Sequence, residues 1–354
     1  MTLFVIVTQS EPGHSESVDT LLVVKDFYEL TDLGRARRLR VIAEQVLDEY
    51  DLDVAHMRAL SDATNAVFKL DCRNGDRYAL RVGMGPPSGH TADEMRSEME
   101  WLAALSSLDS PLVPRPVPTR SGDLVVVGSA PHVPYDPPCA VFSWLDGSLL
   151  DDRADYVSFH TYGAAMARLH QAALEFEPSS NFVAPQYTII HPYGSPFIVF
   201  TDTGDDLLPP GRRAVYEKGR ALVQDLFRSL PDREPMRILH GDFHGWNVKI
   251  NHGKISVFDV EDMVWGWPVQ DIGVALYYHW ERPDFDVKLE EFRSGYETVS
   301  PWPDPGGEVF TCIIARTLLL ANDVISQPEW LDVAAEVYER GERRILSMLE
   351  RLGS

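Results

Sequence analysis

The stretch "ILHGDFHGWNVKI", residues 238–250, places two histidines, an aspartate and an asparagine between apolar ends. Such a group of side chains has three interpretations: a transition-metal site, a phosphoryl-transfer loop, or an ordinary polar turn. The segment that follows it helps to choose among them.

The next residues, "NVKINHGKISVFDVED", predict a hairpin. Val248 and Ile250 alternate as strand residues, and so do Ile255 and Val257, with residues 251–254 as the turn. If the turn has four residues, Ile250 pairs with Ile255 and Val248 with Val257. The two strands then end where the polar loop begins.

Asn247 and Asp259 fall at this open end, next to the loop that holds Asp242. An ideal register puts the side chains of Asn247 and Asp259 on opposite faces, so the chain has to bend at Asp259 before both can bind one ion. Their oxygens are hard ligands, which suit Mg²⁺ rather than zinc. Asp242 would then be free to orient a hydroxyl and accept its proton, as phosphoryl transfer requires.

Length and composition limit the classes of protein. A chain of 354 residues exceeds what one core usually holds, so we expect two lobes. The net charge of −22 argues against a nucleic-acid partner. It is compatible with a cationic small-molecule substrate, or with acidity that serves solubility alone. Cys72, Cys139 and Cys312 are too far apart for a disulfide framework or a Cys-x-x-Cys metal site.

The sequence also bears on localisation. No basic residue precedes Lys25, so the N-terminus lacks the charged start of a signal peptide. No window approaches the roughly 18 to 20 apolar residues that span a bilayer. We therefore expect a cytoplasmic protein without membrane association, either a monomer or a homodimer.

Periodicity predicts the elements that position the polar residues. Apolar residues at helical spacing predict helices over 35–50 and 91–108, and the Asn74-Gly75 pair predicts a hairpin over 66–82. "CAVFSWLDGSLL" predicts one more strand. Helical patterns dominate afterwards, including buried helices in "GWPVQDIGVALYYHW" and "GEVFTCIIARTLLLAND". The order is a β-rich part, then a mainly helical part.

Four motifs together resemble one family. "HGDFHGWN" resembles the His-Gly-Asp-x-x-x-x-Asn catalytic loop of the aminoglycoside phosphotransferase and choline kinase family, and "VFDVED" resembles its metal-binding motif. "GWPVQDIGVAL" and "MARLHQ" are similar to two of its helices. The order and spacing match over roughly residues 35–345. Within the family, the chain is similar to the bacterial small-molecule kinases around homoserine kinase and the antibiotic kinases.

The resemblance implies an α+β, bilobal protein-kinase-like fold. Residues 1–34 would be an N-terminal extension. Residues 35–145 would form the nucleotide-binding lobe, an antiparallel sheet with one main helix. Residues 146–354 would form a mainly helical lobe for catalysis and substrate binding.

The resemblance also implies roles for the polar residues of the second lobe. Asp242 would be the catalytic base, and Asn247 and Asp259 would be catalytic residues that hold Mg²⁺. His240 and Asp271 would be structural, tying the loop to the helix below it. His244 falls at a variable position of the loop. We expect it to face solvent, the alternative being contact with substrate.

The first lobe would bind the nucleotide. Glu98 lies on the apolar stripe of its helix and Glu100 does not, so Glu98 requires a buried cationic partner. The family uses a lysine at the position of Arg81, and Arg81 would contact phosphate and pair with Glu98. The alternative is a surface arginine on an edge strand.

Further nucleotide contacts follow from family position alone. Ser61, Thr64 and Asn65 lie in the segment that would cover the phosphates, although such residues usually mark turns. Backbone groups of Ser143 to Leu145 would bind the adenine. The nucleotide would be ATP, with GTP as the alternative.

The expected activity is Mg-ATP-dependent, direct in-line transfer of the γ-phosphate to a hydroxyl of a small molecule, an antibiotic or an amino alcohol among the candidates. Four aspartates could receive an amine, or could be helix caps: Asp146, Asp151, Asp152 and Asp155. A metal hydrolase would use His240, Asp242 and His244, but Gly241 and Gly245 indicate a loop. A catalytically inactive kinase-fold binding protein and a protein Ser/Thr kinase stay open.

Overall fold

The computed structural model describes residues 4–7, 20–23, 25–61, 65–84, 89–151 and 156–353. The chain divides into two compact units, Met1–Met99 with Pro116–Trp144, and Glu100–Arg115 with Leu145–Ser354. Residues 100–115 therefore group with the second unit, although the sequence suggested the first lobe for them. The division of nucleotide and acceptor binding between the lobes stays a prediction.

The first unit is built on antiparallel strands. Its elements are β1 (Phe4–Val7), β2 (Thr20–Val23), α1 (Asp32–Leu47), β3 (Val54–Ser61), β4 (Asn65–Cys72), β5 (Arg77–Gly83), the first part of α2 (Ala92–Leu105), β6 (Pro116–Val117), β7 (Val126–Val127) and β8 (Pro138–Ser143). β1 pairs with β2. The main sheet has the order β3-β4-β5-β8-β6, and β7 also pairs with β8.

Local sequence signals account for this unit. The predicted helices appear as α1 and α2, and the predicted hairpin appears as β4 and β5. Gly75 in its turn has a φ of +91°, which glycine adopts without strain. The apolar face of α1, including Leu39 and Ile42, packs with Phe68 and Leu80 of the sheet in one buried core.

The second unit is mainly helical. Its elements are β9 (Ser148–Leu149), α3 (Tyr156–Glu175), α4 (Asp202–Asp205), α5 (Pro210–Ser229), β10 (Arg237–Leu239), β11 (Val248–Asn251), β12 (Lys254–Val257), β13 (Val264–Gly266), α6 (Pro268–Tyr277), α7 (Phe285–Glu297), α8 (Glu308–Ser326) and α9 (Ala334–Arg351). β10 pairs with β13, and β11 pairs with both β12 and β9. α3 packs on α7, and α8 packs on α5, α6 and α9.

α8 corrects one expectation from the sequence. It is a 19-residue helix that is long and apolar enough to cross a membrane. The expectation that the sequence contains no apolar segment of this length is therefore wrong. However, 78% of its apolar window is buried inside the protein. This burial is that of a core helix, and α8 lies at the centre of the helical packing.

Candidate active site

The predicted catalytic loop joins β10 to β11. Two backbone hydrogen bonds of 2.9 Å stabilise its turns. The His244 amide donates to Asp242 O, and the Asn247 amide donates to His244 O. Gly241 has a φ of +80°, and a Cβ there would lie 1.9 Å from the backbone oxygen of Asp262. Only glycine fits, so the path of the loop is fixed by the segment that follows the hairpin.

Both carboxylate oxygens of Asp242 make polar contacts with neighbouring side chains. Oδ1 accepts a hydrogen bond from Arg316 Nη2, while Oδ2 lies 3.2 Å from Asn247 Nδ2 and 3.0 Å from His244 Nε2. Burial alone would raise the pKa of Asp242, but the Arg316 guanidinium and His244 hold this pKa well below its usual range. Asp242 is therefore ionised at neutral pH, the state that a proton acceptor needs.

The hairpin brings Asn247 next to the segment that contains Asp259. β11 and β12 have the predicted register in all four apolar positions. The Phe258 amide donates to Asn247 O at 3.0 Å. Asp259 has a φ of +63°, in the left-handed region. The chain therefore leaves its extended path at the residue where the bend was predicted.

Asn247 and Asp259 fit a hard cation by the chemistry of their donor atoms. Asn247 Nδ2 donates to the backbone oxygen and to Oδ2 of Asp242, at 3.0 and 3.2 Å, so Oδ1 is the atom of Asn247 that would bind a cation. Amide and carboxylate oxygens are ligands that Mg²⁺ prefers, and Mg²⁺ usually takes its remaining ligands from phosphates and water.

Asp271, near the start of α6, contacts the backbone of the loop. Its Oδ2 accepts from the His240 amide and its Oδ1 from the Gly241 amide, both at 2.9 Å. His170, the histidine of the "MARLHQ" motif, lies 3.2 Å from the same Oδ2 through Nε2. His240 Nε2 lies 3.0 Å from Phe258 O, and burial lowers the pKa of His240. Three segments distant in sequence thus meet at one carboxylate.

His244 does not face solvent, so that expectation is wrong. Its side chain is 12% exposed and lies between Asp242 and two aromatic rings. The ring centroids of Trp246 and Tyr278 are 5.4 and 5.3 Å from that of the imidazole. Tyr278 follows the end of α6, so the loop sequence alone could not indicate that His244 is covered.

Arg316 is the residue of this site that sequence analysis missed. It lies near the middle of α8, is buried, and pairs with Asp242. Its Nη2 is also 3.4 Å from the Tyr278 hydroxyl. A signal was available, because Arg316 is the one basic residue in the apolar sequence of α8. A buried cation requires an anionic partner, although the sequence could not say which.

The Arg81–Glu98 pair forms within the first unit. Arg81 Nη1 donates to Glu98 Oε1 at 3.1 Å, and Nη2 donates to Oε2, so the contact is bidentate. Both residues are buried, as the helical spacing predicted for Glu98. β5 lies between β4 and β8, so Arg81 is not on an edge strand. The role of the pair in nucleotide binding stays a prediction.

The remaining candidates for phosphate and amine contacts are only partly described. The side chain of Ser61 and all of Thr64, Asp152 and Asp155 lie outside the described residues. Asn65 is buried at the start of β4. Its contact with phosphate stays a prediction.

The residues predicted to bind adenine lie at the end of β8 and directly after it. Ser143 is the last residue of β8. The carbonyl of Leu145 accepts a hydrogen bond from Lys249 Nζ at 3.0 Å. Asp151, one candidate for an amine contact, has its Oδ1 3.7 Å from His279 Nε2.

Comparison with known proteins gives relatives that phosphorylate small molecules. The chain is 25% identical to the amicoumacin kinase of Bacillus subtilis (strain 168) over 250 residues, which are 66% of this chain and 67% of that protein. A microcompartment-associated aminopropanol kinase superimposes with a TM-score of 0.71 at 21% identity, covering 89% of this chain and 98% of the other.

A second solved structure is an amicoumacin kinase in complex with AMP-PNP, Ca²⁺ and Ami. It has a TM-score of 0.68 at 16% identity and covers 88% of this chain and 96% of its own. These likenesses confirm the predicted fold. The profile of the phosphotransferase enzyme family matches residues 56–306, more than half of the sequence, and the chain therefore belongs to this family.

Proposed function

We propose that the protein is a Mg-ATP-dependent phosphotransferase that moves the γ-phosphate of ATP to a hydroxyl of a small molecule. The observation that carries the proposal is the Asp242 carboxylate, which contacts Arg316 through Oδ1 and Asn247 through Oδ2. Asp242, the proposed proton acceptor, and Asn247 and Asp259, the proposed cation ligands, lie directly before and after one hairpin, as phosphoryl transfer would require.

In the proposed step, Asp242 accepts a hydrogen bond from the acceptor hydroxyl and takes its proton. The hydroxyl oxygen forms a bond to the γ-phosphorus as the bond to the β–γ bridging oxygen breaks, and ADP leaves with that electron pair. Asn247 and Asp259 would hold Mg²⁺, which neutralises charge on the phosphate oxygens when bound. His240 and Asp271 would keep the loop in place.

The first unit would bind the nucleotide through Arg81, which Glu98 orients. Ser61 and Asn65 would contact phosphate, and backbone groups of Ser143 and Leu145 would bind the adenine. Amicoumacin kinase and aminopropanol kinase among the relatives support an antibiotic or an amino alcohol as the acceptor. The net charge of −22 is compatible with such a cationic acceptor.

The test is a screen of the full chain with Mg·ATP or Mg·GTP against amicoumacin, aminopropanol, aminoglycosides and other hydroxylated amines. Mass spectrometry would detect the phosphorylated acceptor. We expect Asp242→Asn to lower kcat about 10²- to 10⁴-fold while AMP-PNP still binds. Asp286→Asn is the control, because Asp286 is an exposed carboxylate that pairs with Arg351. We expect Asp259→Asn to weaken the binding of Mg·ATP.

Three results would count against the proposal. Full turnover by Asp242→Asn would remove this residue from catalysis. Unchanged affinity of Asp259→Asn for Mg·ATP would remove Asp259 from the metal site. Nucleotide binding by the wild type without transfer to any acceptor would favour an inactive binding protein.

A further inference from the structure

Arg316 is placed where a charged side chain is costly. It lies near the middle of α8, and Cys312 and Leu319, about one turn away on either side, are buried apolar residues. Arg316 itself is 7% exposed. Its retention there requires a compensating contact, because a buried guanidinium without a counter-charge is strongly destabilising.

That contact is made to one oxygen of the proposed base. Arg316 Nη2 donates to Oδ1 of Asp242. The other oxygen, Oδ2, is approached by Asn247 Nδ2 at 3.2 Å and His244 Nε2 at 3.0 Å, both from the catalytic loop. The carboxylate is therefore fixed by two different elements, and rotation about its Cβ–Cγ bond would break contacts on both sides.

We propose that Arg316 is a positioning residue, which aims the Asp242 carboxylate at the acceptor hydroxyl from the side opposite Asn247. The inference rests on the proposed function. Proton transfer requires a lone pair directed at the hydroxyl within hydrogen-bond distance, and a misplacement of about 1 Å costs on the order of 10²-fold in rate. The loop contacts on Oδ2 alone leave Oδ1 without this restraint.

Arg344 supplies a matched control. It is also buried, on α9, and it donates to the Tyr277 hydroxyl and lies 3.7 Å from the centroid of that ring. None of these contacts is to a carboxylate of the catalytic loop. Loss of Arg344 therefore tests what the removal of a buried arginine does to this unit in general.

The experiment compares Arg316→Met, Arg316→Lys and Arg344→Met with the wild type, using Mg·ATP and an acceptor found in the screen. We expect Arg316→Met to lower kcat about 10²-fold, with the KM for both substrates within about threefold. Arg316→Lys keeps a cation near Oδ1 and should recover about tenfold of this loss. Arg344→Met should unfold at lower urea concentration but keep its kcat within about twofold.

Two kinetic results would overturn the proposal. One is a loss of kcat by Arg316→Met no larger than that of Arg344→Met, which would make Arg316 merely structural. The other is a raised KM for the acceptor at unchanged kcat, which would make Arg316 an acceptor-binding residue.

A failure of the proposed function is distinguishable from a failure of this inference. If the wild type transfers no phosphate, urea unfolding of Arg316→Met, Asp242→Asn and the double variant still measures their coupling. A coupling of about tenfold or more in the unfolding constant supports the restraint on Asp242, whereas additive effects overturn it.

Discussion

Asp271→Asn is the sharpest perturbation of the catalytic loop, because it changes the acceptor atoms of a buried group without changing its shape. In the native protein, Oδ1 accepts from the Gly241 amide, and Oδ2 accepts from the His240 amide. Asparagine offers one oxygen and one NH₂ group. One of the two backbone amides must then face a donor instead of an acceptor.

The expected magnitude follows from these contacts. A hydrogen bond to a charged acceptor contributes about 1.5 to 3 kcal/mol, and a buried amide left without an acceptor costs about 1 to 3 kcal/mol. Asp271 is 2% exposed, so water cannot replace the lost contact. We expect the free energy of unfolding to fall by about 3 to 5 kcal/mol, and kcat to fall about 10²-fold as the loop shifts.

Urea unfolding followed by circular dichroism at 222 nm would measure the first quantity, and steady-state transfer would measure the second. Asp304→Asn is the control, because Asp304 also accepts from backbone amides on both oxygens: Oδ1 from Gly307 and Glu308 at 2.6 Å, and Oδ2 from Val309 at 3.3 Å. It lies four residues before the first residue of α8 and outside the loop. We expect it to lose stability and keep kcat.

An Asp271→Asn protein whose stability and kcat both match the wild type would show that the loop does not depend on the Asp271 carboxylate. A stability loss with unchanged kcat would refute the catalytic part alone, because the loop would then hold its geometry without the carboxylate.

Two other predictions concern charge and burial. Burial, with Lys288 nearby, lowers the pKa of His279 to about 4 from its ordinary 6.5. The unfolded chain binds this proton first, so stability should fall by up to about 3 kcal/mol as the pH decreases from 6.5 to 4. Urea unfolding at pH 7.5 and 5.0 should show this dependence in the wild type, and a weaker one in His279→Gln. Glu98→Gln removes the counter-charge of buried Arg81 and should cost about 3 to 5 kcal/mol in urea unfolding, whereas Glu100→Gln, with exposed contacts to Ser179, should cost about 1 kcal/mol. Equal costs for these two variants would contradict the argument from burial.

The hairpin that carries Asn247 could be predicted because its geometry is local. Strand alternation and a four-residue turn determine the register of β11 and β12, and the need for both ligands to meet at one ion placed the bend at Asp259. The burial of Glu98 was similarly accessible, because helical spacing alone separates it from Glu100.

Three helices, α5, α7 and α9, were not predicted from the sequence. Each has an interior glycine, a residue that costs about 1 kcal/mol in a helix. Here the glycines allow close packing. A Cβ at Gly295 would lie 1.8 Å from His160 O of α3, and one at Gly341 would lie 2.1 Å from the Tyr216 hydroxyl. A Cβ at Gly219 would lie 2.9 Å from Ile314.

The side chains that contact the catalytic loop could not be predicted either, because they come from elements distant in sequence. His244 is covered by Tyr278, which follows α6, and Asp242 is paired with Arg316 from α8. Spacing within the loop carries no information about either contact. Only the single basic residue in the apolar sequence of α8 indicated that Arg316 needs an anionic partner.

The two helices that contact the loop also pack on each other. α6 provides Asp271 and α8 provides Arg316, and the two helices meet at Gly273, where a Cβ would lie 2.4 Å from the Cβ of Cys312. Gly273 is two residues from Asp271, and Cys312 is one turn from Arg316. Asp271, which accepts from two loop amides, and Arg316, which donates to the Asp242 carboxylate, therefore lie on two helices in direct contact. Packing between α6 and α8 thus supports the two helices that contact the loop and its carboxylate.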